Sequence, residues 1–223
     1  MILFFTHIPK TAGSSFAKVY LQPNFQSGYK RPEGLSDFFY SRLPKYTCVH
    51  GHFPYGMHHL KPWRRINYIT FLREPVNRII SHYFFVLQMK THPEFLRHKT
   101  VGIKEITSVN YSLKYSALQS NQQTRFIAGF YHGFWNPPSD AKLLKIAKQN
   151  LIDKYSFIGI LERYQESCER FEKIYNLNSY KDEKKYQKTI IKKDISQKDK
   201  IDIENNNQLD LELYSYFIKK KFS

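Results

Sequence analysis

Long hydrophobic runs are missing from this chain of 223 residues. No apolar stretch approaches the roughly 18 residues of a spanning helix, which excludes a membrane-embedded helical protein. Cysteine is scarce: Cys48 and Cys168 cannot make a disulfide framework, and they fit a reducing compartment with a single bridge left open. The opening Met1-Ile2-Leu3-Phe4-Phe5-Thr6-His7 has no basic start, only a short apolar run and no small-residue cleavage site. It does not read as a signal peptide, so a cytoplasmic location is expected. Acidic residues are also few, with 19 Asp and Glu against 35 Lys and Arg and a net charge of +16.

Aromatics are plentiful. They make up 17% of the chain, with 17 Tyr and 18 Phe, and hydrophobic residues reach 41%. That excludes disorder of the whole chain. The length predicts one domain over residues 1–223, large enough for a sizeable core. The charge is uneven: residues 1–110 carry +10 and residues 111–223 carry +6, and eight of the nine histidines lie in the first part. An anionic partner is expected there. Nucleic acid, a membrane face, a phosphorylated cofactor and an acidic glycan all fit, whereas the later lysine runs read as solvated surface.

Four apolar runs read as buried strands: Ile2–Thr6, Thr47–His50, Tyr68–Leu72 and Phe157–Ile160. Helical patterns come between or after them. Pro75 suits a helix first turn and is followed by Val76, Ile79, Ile80, Tyr83 and Phe84 at helical spacing. Ser139 or Asp140 can cap a helix carrying Leu143, Leu144, Ala147 and Leu151. A final amphipathic helix is expected over 208–221. Strands alternating with helices predict an α/β fold, a P-loop-like parallel sheet flanked by helices. Residues 88–108 show little periodicity and read as a mobile flap. Residues 180–207, rich in Lys, Asp and Asn, read as a polar connector.

The first strand is followed by His7-Ile8-Pro9-Lys10-Thr11-Ala12-Gly13-Ser14-Ser15-Phe16 and then by a helical pattern through Ala17, Val19, Tyr20 and Leu21. A strand–loop–helix turn of this kind exposes backbone N–H groups at a helix start and makes an anion site. Gly13 allows close backbone approach, Lys10 adds a point charge, and the hydroxyls of Thr11, Ser14 and Ser15 add donors. It is not the G-x-x-x-x-G-K-[ST] nucleotide loop, because Lys10 precedes the glycine, and no magnesium-binding Asp is evident. A plain Ser/Gly helix cap explains the loop equally well when it is taken alone.

The third strand runs into Arg73-Glu74-Pro75-Val76-Asn77-Arg78-Ile79-Ile80-Ser81-His82-Tyr83. Arg73 falls at a strand's carboxyl end, where open α/β sheets bind ligands. Ser81 follows about two helical turns later, and a guanidinium with a hydroxyl suits a second phosphate.

Together the two pieces resemble the sulfotransferases that use 3′-phosphoadenosine 5′-phosphosulfate (PAPS). Pro9–Ser15 is similar to their 5′-phosphosulfate loop, and Arg73–Tyr83 is similar to their 3′-phosphate motif with the same Arg-to-Ser spacing. The glycan sulfotransferases that include the heparan sulfate 2-O enzymes look most alike. Val49-His50-Gly51-His52 resembles that group's His-Gly-His segment. Asn121-Gln122-Gln123-Thr124-Arg125, Glu162–Ser167 and Leu209–Tyr214 resemble further segments, so the likeness spans residues 1 to about 217.

The resemblance implies sulfuryl transfer from PAPS to a hydroxyl of a carbohydrate or glycolipid acceptor, leaving the desulfated product PAP. Little covalent work falls to the protein in such chemistry, and positioning and charge dominate. It implies that Lys10 meets the charge on the transferring sulfonate. Thr11, Ala12, Gly13, Ser14 and Ser15 would cradle the 5′ end, and Arg73 and Ser81 would take the 3′-phosphate. A base titrating near neutrality suits the acceptor hydroxyl. His50 and His52 lie two apart in an extended segment and so share a face. By resemblance His52 is the base and His50 its helper or an acceptor contact. No third ligand stands at a zinc-like spacing, so no metal is expected. Glu74 is an alternative base, ranked below His52 because pairing with an arginine suits it better. Gln123 and Arg125 are placed near acceptor or cofactor, Trp63 and Trp135 read as stacking or packing residues, and His7 reads as a buttress of the loop. Two other readings of the chain are a basic nucleic-acid-binding module and a catalytically inactive PAPS-binding relative. No nucleic-acid motif supports the first, and retention of Lys10, Arg73, Ser81 and His52 argues against the second. Nucleic acid is therefore not an expected partner, while peripheral membrane contact and oligomeric state are left open.

Overall fold

The computed structural model describes residues 2–43, 47–106, 120–130, 138–177 and 195–222. Strand β1 (Ile2–Thr6) leads through a loop into α1 (Gly13–Phe16), a π-helical turn over Ala17–Leu21, and α2 (Gln22–Phe25). The short β2 (Tyr29–Lys30), α3 (Leu35–Tyr40) and β3 (Thr47–Gly51) follow. Next come β4 (Ile66–Leu72), α4 (Pro75–Gln88), α5 (Phe95–Thr100) and α6 (Ile103–Ile106). The later elements are α7 (Gln122–Ala128), α8 (Asp140–Asp153), β5 (Tyr155–Ile160), α9 (Tyr164–Tyr175), α10 (Gln197–Asn205) and α11 (Gln208–Phe222).

The strands form one parallel sheet in the order β2-β3-β1-β4-β5. All five residues of β1 are buried, as a parallel strand covered on both faces requires. Side chains alternate between faces with period two. Ile2 and Phe4 join Val49, Tyr68 and Leu72 on one face, under Leu143, Ala147, Leu151, Leu209 and Leu213 from α8 and α11. Leu3 and Phe5 join Cys48, Ile69 and Phe71 on the other, under Phe16, Leu21, Cys168 and Phe171. The expected α/β architecture is what the chain adopts. Both cysteines are buried free thiols, so the bridge left open by the sequence does not form.

Several local expectations are corrected. β2 was not anticipated, because two residues at a sheet edge leave no apolar run to read. The helix after the loop contains a π turn, where Pro23 has no N–H to continue the ordinary ladder and the Gln22 N–H reaches back to the Ala17 carbonyl. The stretch read as a flap contains two short helices, α5 and α6, within its described residues 88–106. The supposed connector over 180–207 contains α10. Ser196 caps it by accepting from the Asp199 N–H, and Ile203 buries against Val76, Ile79 and Ile103. The rest of that stretch, 180–194, lies outside the described residues.

The order places a topological switch between β1 and β4, since the chain leaves β1 toward β2 and β3 but leaves β4 toward β5. Such a switch opens a crevice at the carboxyl ends of the strands. Gly159 illustrates how closely the sheet is packed beside it. It pairs with Phe71, and a Cβ there would stand 2.3 Å from the Phe71 ring. Gly159→Ala is therefore expected to cost about 1–3 kcal/mol through overpacking. Urea unfolding measures it, and an unchanged midpoint would contradict this packing.

Candidate active site

The loop after β1 is tightly curled. Lys10 and Ala12 both take positive φ, 67° and 73°, in the left-handed region. Each such non-glycine residue costs about 1–3 kcal/mol and persists only when its surroundings enforce it. Thr11 is one enforcer: it is fully buried and its hydroxyl donates to the Ile8 carbonyl at 2.8 Å. That hydroxyl holds the loop's shape rather than facing outward. Gly13 is another, because a Cβ there would lie 2.0 Å from the His7 ring. The first helical bond runs from Phe16 N–H to the Ala12 carbonyl at 3.0 Å, so the N–H groups of Gly13 and Ser14 precede the ladder, as at any helix start.

Across the switch, Arg73 reaches this loop. Its Nη1 donates to the Lys10 carbonyl at 3.0 Å, while its Nε is buried without a hydrogen-bond partner. The Lys10 ammonium sits 4.1 Å from the centre of the Phe85 ring on α4, an attraction of about 0.5–2 kcal/mol. Burial, with Arg73 beside it, brings the Lys10 pKa down to about 8. Burial also lowers the Arg73 pKa, against the pull of Glu162 and Glu74. Ser81 precedes Phe85 by four residues, which puts it on the helix face that meets Lys10. It is half-buried there.

Glu74, the alternative base, is committed elsewhere. It caps α4 by accepting from the Val76 and Asn77 N–H groups at 2.9 and 2.7 Å, where its charge also suits the helix dipole.

The histidines meet at the carboxyl end of β3. His7 N–H donates to the Gly51 carbonyl at 2.9 Å, and His52 Nδ1 donates to the His7 carbonyl at 2.7 Å. With its proton on Nδ1, neutral His52 keeps Nε2 as an unprotonated acceptor. The residue is exposed. Its pKa is nevertheless lowered from 6.5 by loss of surrounding water and by Arg31, while the bond to the His7 carbonyl opposes the drop. His50 is buried between Tyr29 Oη, 2.6 Å from its Nδ1, and His7 Nδ1, 2.9 Å from its Nε2. Burial first, then Arg31 and His52, push the His50 pKa down to about 3. Desolvation also holds His7 well below 6.5, with His52 and His50 adding to it.

The structure thus brings Lys10, the 11–15 loop and Arg73 together, and joins His50 and His52 to that loop through His7. Other expectations change. Gln123 touches no outer surface, and its amide grips the Arg73 backbone. Arg125 Nε donates to the Ser120 carbonyl. Trp63 precedes β4 at the amino edge of the sheet, away from this crevice, and is 71% exposed. Trp135 lies outside the described residues. Tyr29 and Arg31 were missed, because only the β2–β3 pairing brings them beside His50. No group of metal-ligating residues occurs among the described residues.

A curled loop at a helix start, an arginine reaching it across the switch point, and two histidines at the end of the neighbouring strand meet at one crevice of this α/β fold. The sequence model of the Sulfotransferase family matches residues 2–218, and the chain belongs to that family. Among curated relatives, the heparan sulfate 2-O-sulfotransferase hst-2 of Caenorhabditis elegans is 29% identical over 44% of this chain and 31% of its own length. The heparan-sulfate 6-O-sulfotransferase 1-A of Danio rerio is 26% identical over 96% of this chain and 63% of its own. The chain therefore spans less than two thirds of either relative. Among solved structures, a sulfotransferase from Alicyclobacillus acidocaldarius aligns at 12% identity and TM-score 0.48, covering 97% of this chain and 95% of that one. Mouse sulfotransferase SULT7A1 complexed with PAP aligns at 11% identity and TM-score 0.47, covering 92% and 62%.

The buried histidines give a pH signature. The unfolded chain protonates them below about 6.5, while native His50 stays neutral down to about 3. The unfolded state thus binds more protons throughout that window, so stability falls as pH drops through it. The expected slope is about 1.4 kcal/mol per pH unit for each such histidine. Urea midpoints between neutral pH and about pH 4 test this, and a flat profile would contradict the neutral buried pair.

Proposed function

We propose that the chain transfers a sulfonate group from PAPS to a hydroxyl of a carbohydrate acceptor, with His52 as general base. The observation that carries this reading is the bond from Arg73 Nη1 to the Lys10 carbonyl, which joins two anion-binding pieces across the switch point.

The residues fit the donor nucleotide. Arg73 Nε is a buried donor with no protein partner, and neither Lys10 nor Arg73 has a carboxylate within ion-pair distance among the described residues. The backbone of Ala12, Gly13, Ser14 and Ser15, with the Ser14 and Ser15 hydroxyls, would hold the 5′ end. Thr11 shapes that cradle from inside. Arg73 and Ser81 would take the 3′-phosphate. When bound, PAPS supplies a sulfonate carried on a phosphate oxygen that can leave. Lys10, held over Phe85 beside the loop, meets the negative charge developing there. His52 Nε2 takes the proton of the attacking hydroxyl, and the His7 carbonyl keeps the ring in the tautomer that can do so. His50 acts behind it as a neutral spacer between Tyr29 and His7.

Two observations support a carbohydrate acceptor with acidic groups. The relatives named above are heparan sulfate enzymes. Arg31 follows β2 on the side of His50 and His52, and its positive charge opposes protonation of both rings. An acceptor carboxylate or sulfate suits that place.

His52→Ala is expected to lower turnover with PAPS by about 10²- to 10⁴-fold while PAP binding stays intact. The wild-type rate falls on the acid side with an apparent pKa below 6.5, since protonation removes the acceptor nitrogen. Steady-state sulfation rates across pH check both. Undiminished turnover in the variant would refute the base assignment.

A further inference from the structure

Arg73 is the first residue beyond β4, whose ladder with β5 ends at the pair Leu72 and Ile160. No strand holds its peptide groups, yet the direction of its side chain depends on them. One residue supplies both missing partners. The Arg73 N–H donates to Gln123 Oε1 at 3.0 Å, and Gln123 Nε2 donates to the Arg73 carbonyl at 2.9 Å. Two bonds from one planar amide fix both distance and orientation, which a single bond does not. Gln123 is 1% exposed, so water does not compete for either bond.

Gln123 is itself held from the far end of the chain. Asp210 on α11 is 1% exposed and accepts from the Gln123 N–H at 3.1 Å and from the Thr124 N–H and hydroxyl at 2.7 Å each. The capping is reciprocal. Asn121 Oδ1 accepts from the Leu209 and Asp210 N–H groups at 2.9 and 3.2 Å, near the start of α11. The first turns of α7 and α11 therefore satisfy each other's orphan donors.

We propose that Gln123 is a positioning residue for 3′-phosphate recognition: it aims Arg73, and Asp210 sets Gln123, so that α11 belongs to the nucleotide site without touching the nucleotide. The inference rests on the reading that Arg73 binds the 3′-phosphate. Fixing the launch point of a guanidinium lessens the ordering left to do when ligand binds. Loss of the clamp should thus weaken the response to the 3′-phosphate and leave the 5′ end alone.

The test is calorimetric titration of the full chain with PAP and with 5′-AMP, which lacks the 3′-phosphate. Gln123→Met keeps side-chain length and removes both bonds. It is expected to weaken PAP about tenfold while 5′-AMP changes by less than about twofold. In an Arg73→Ala background the same substitution should change PAP affinity by less than about twofold, because the group it aims is gone. If Gln123→Met does not fold, Gln123→Glu serves: it keeps the acceptor for the Arg73 N–H and loses the donor to the carbonyl. A reduced PAP preference in that variant supports the clamp. A wild type that prefers PAP, with a folded variant that keeps the whole preference or loses both ligands equally, overturns it. A wild type that binds PAP and 5′-AMP alike contradicts the 3′-phosphate reading itself, and the positioning role with it.

Discussion

His7 ties the loop after β1 to the end of β3 through its backbone and its ring at once. Its N–H bonds Gly51, its carbonyl holds His52, its Nδ1 meets His50, and its ring occupies the space that a side chain at Gly13 would need. Moving this one residue would change both the curl of the loop after β1 and the bond that sets the His52 tautomer. The site depends on β1 being the central strand, since only there can one residue face β3 on one side and the switch toward β4 on the other. The strain at Lys10 and Ala12 is stored on the same frame, in a loop that Thr11 closes from within.

Positive charge is concentrated around this frame, and among the described residues no carboxylate stands within ion-pair distance of Lys10 or Arg73. Lys10, Arg73 and fully buried Arg78 all have pKa values lowered chiefly by burial, Arg78 to about 10. Asp210, which favours the charged form of Arg78, is occupied by the first turn of α7. Arg78 itself donates to Gln122 at 2.7 Å in that same turn. The cations nearest the crevice thus stand partly desolvated, the electrostatic basis of the proposed nucleotide site. Burial is the first reason that His7, His50 and His52 resist protonation, and the positive charge of Arg31 adds to it.

What the sequence made legible follows from how far apart the cooperating residues lie. β1, β3, β4 and β5 are continuous apolar runs because both faces of each are covered, so composition alone marks them. Lys10 and Arg73 stand out because each sits at a local turn from strand to helix, and Ser81 because it follows Arg73 by eight residues in the same short segment. β2 is two residues long and leaves no pattern. α10 is hidden in polar composition, since Ile203 is its one buried residue. The grip of Gln123 on Arg73 crosses 50 positions and that of Asp210 on Thr124 crosses 86, so no periodicity announces either. Tyr29 and Arg31 likewise gain meaning only from the pairing of β2 with β3.

The central claim is that one crevice reads both ends of the nucleotide: the loop holds the 5′ side and Arg73 with Ser81 holds the 3′-phosphate. A thermal-shift titration of the wild-type chain with PAP, 5′-AMP and ATP tests this most directly. At about 100 times its Kd, PAP is expected to add about 2.7 kcal/mol of stability. At the same concentration, 5′-AMP and ATP should add markedly less. Equal shifts with all three ligands, or no shift with PAP, would contradict the account.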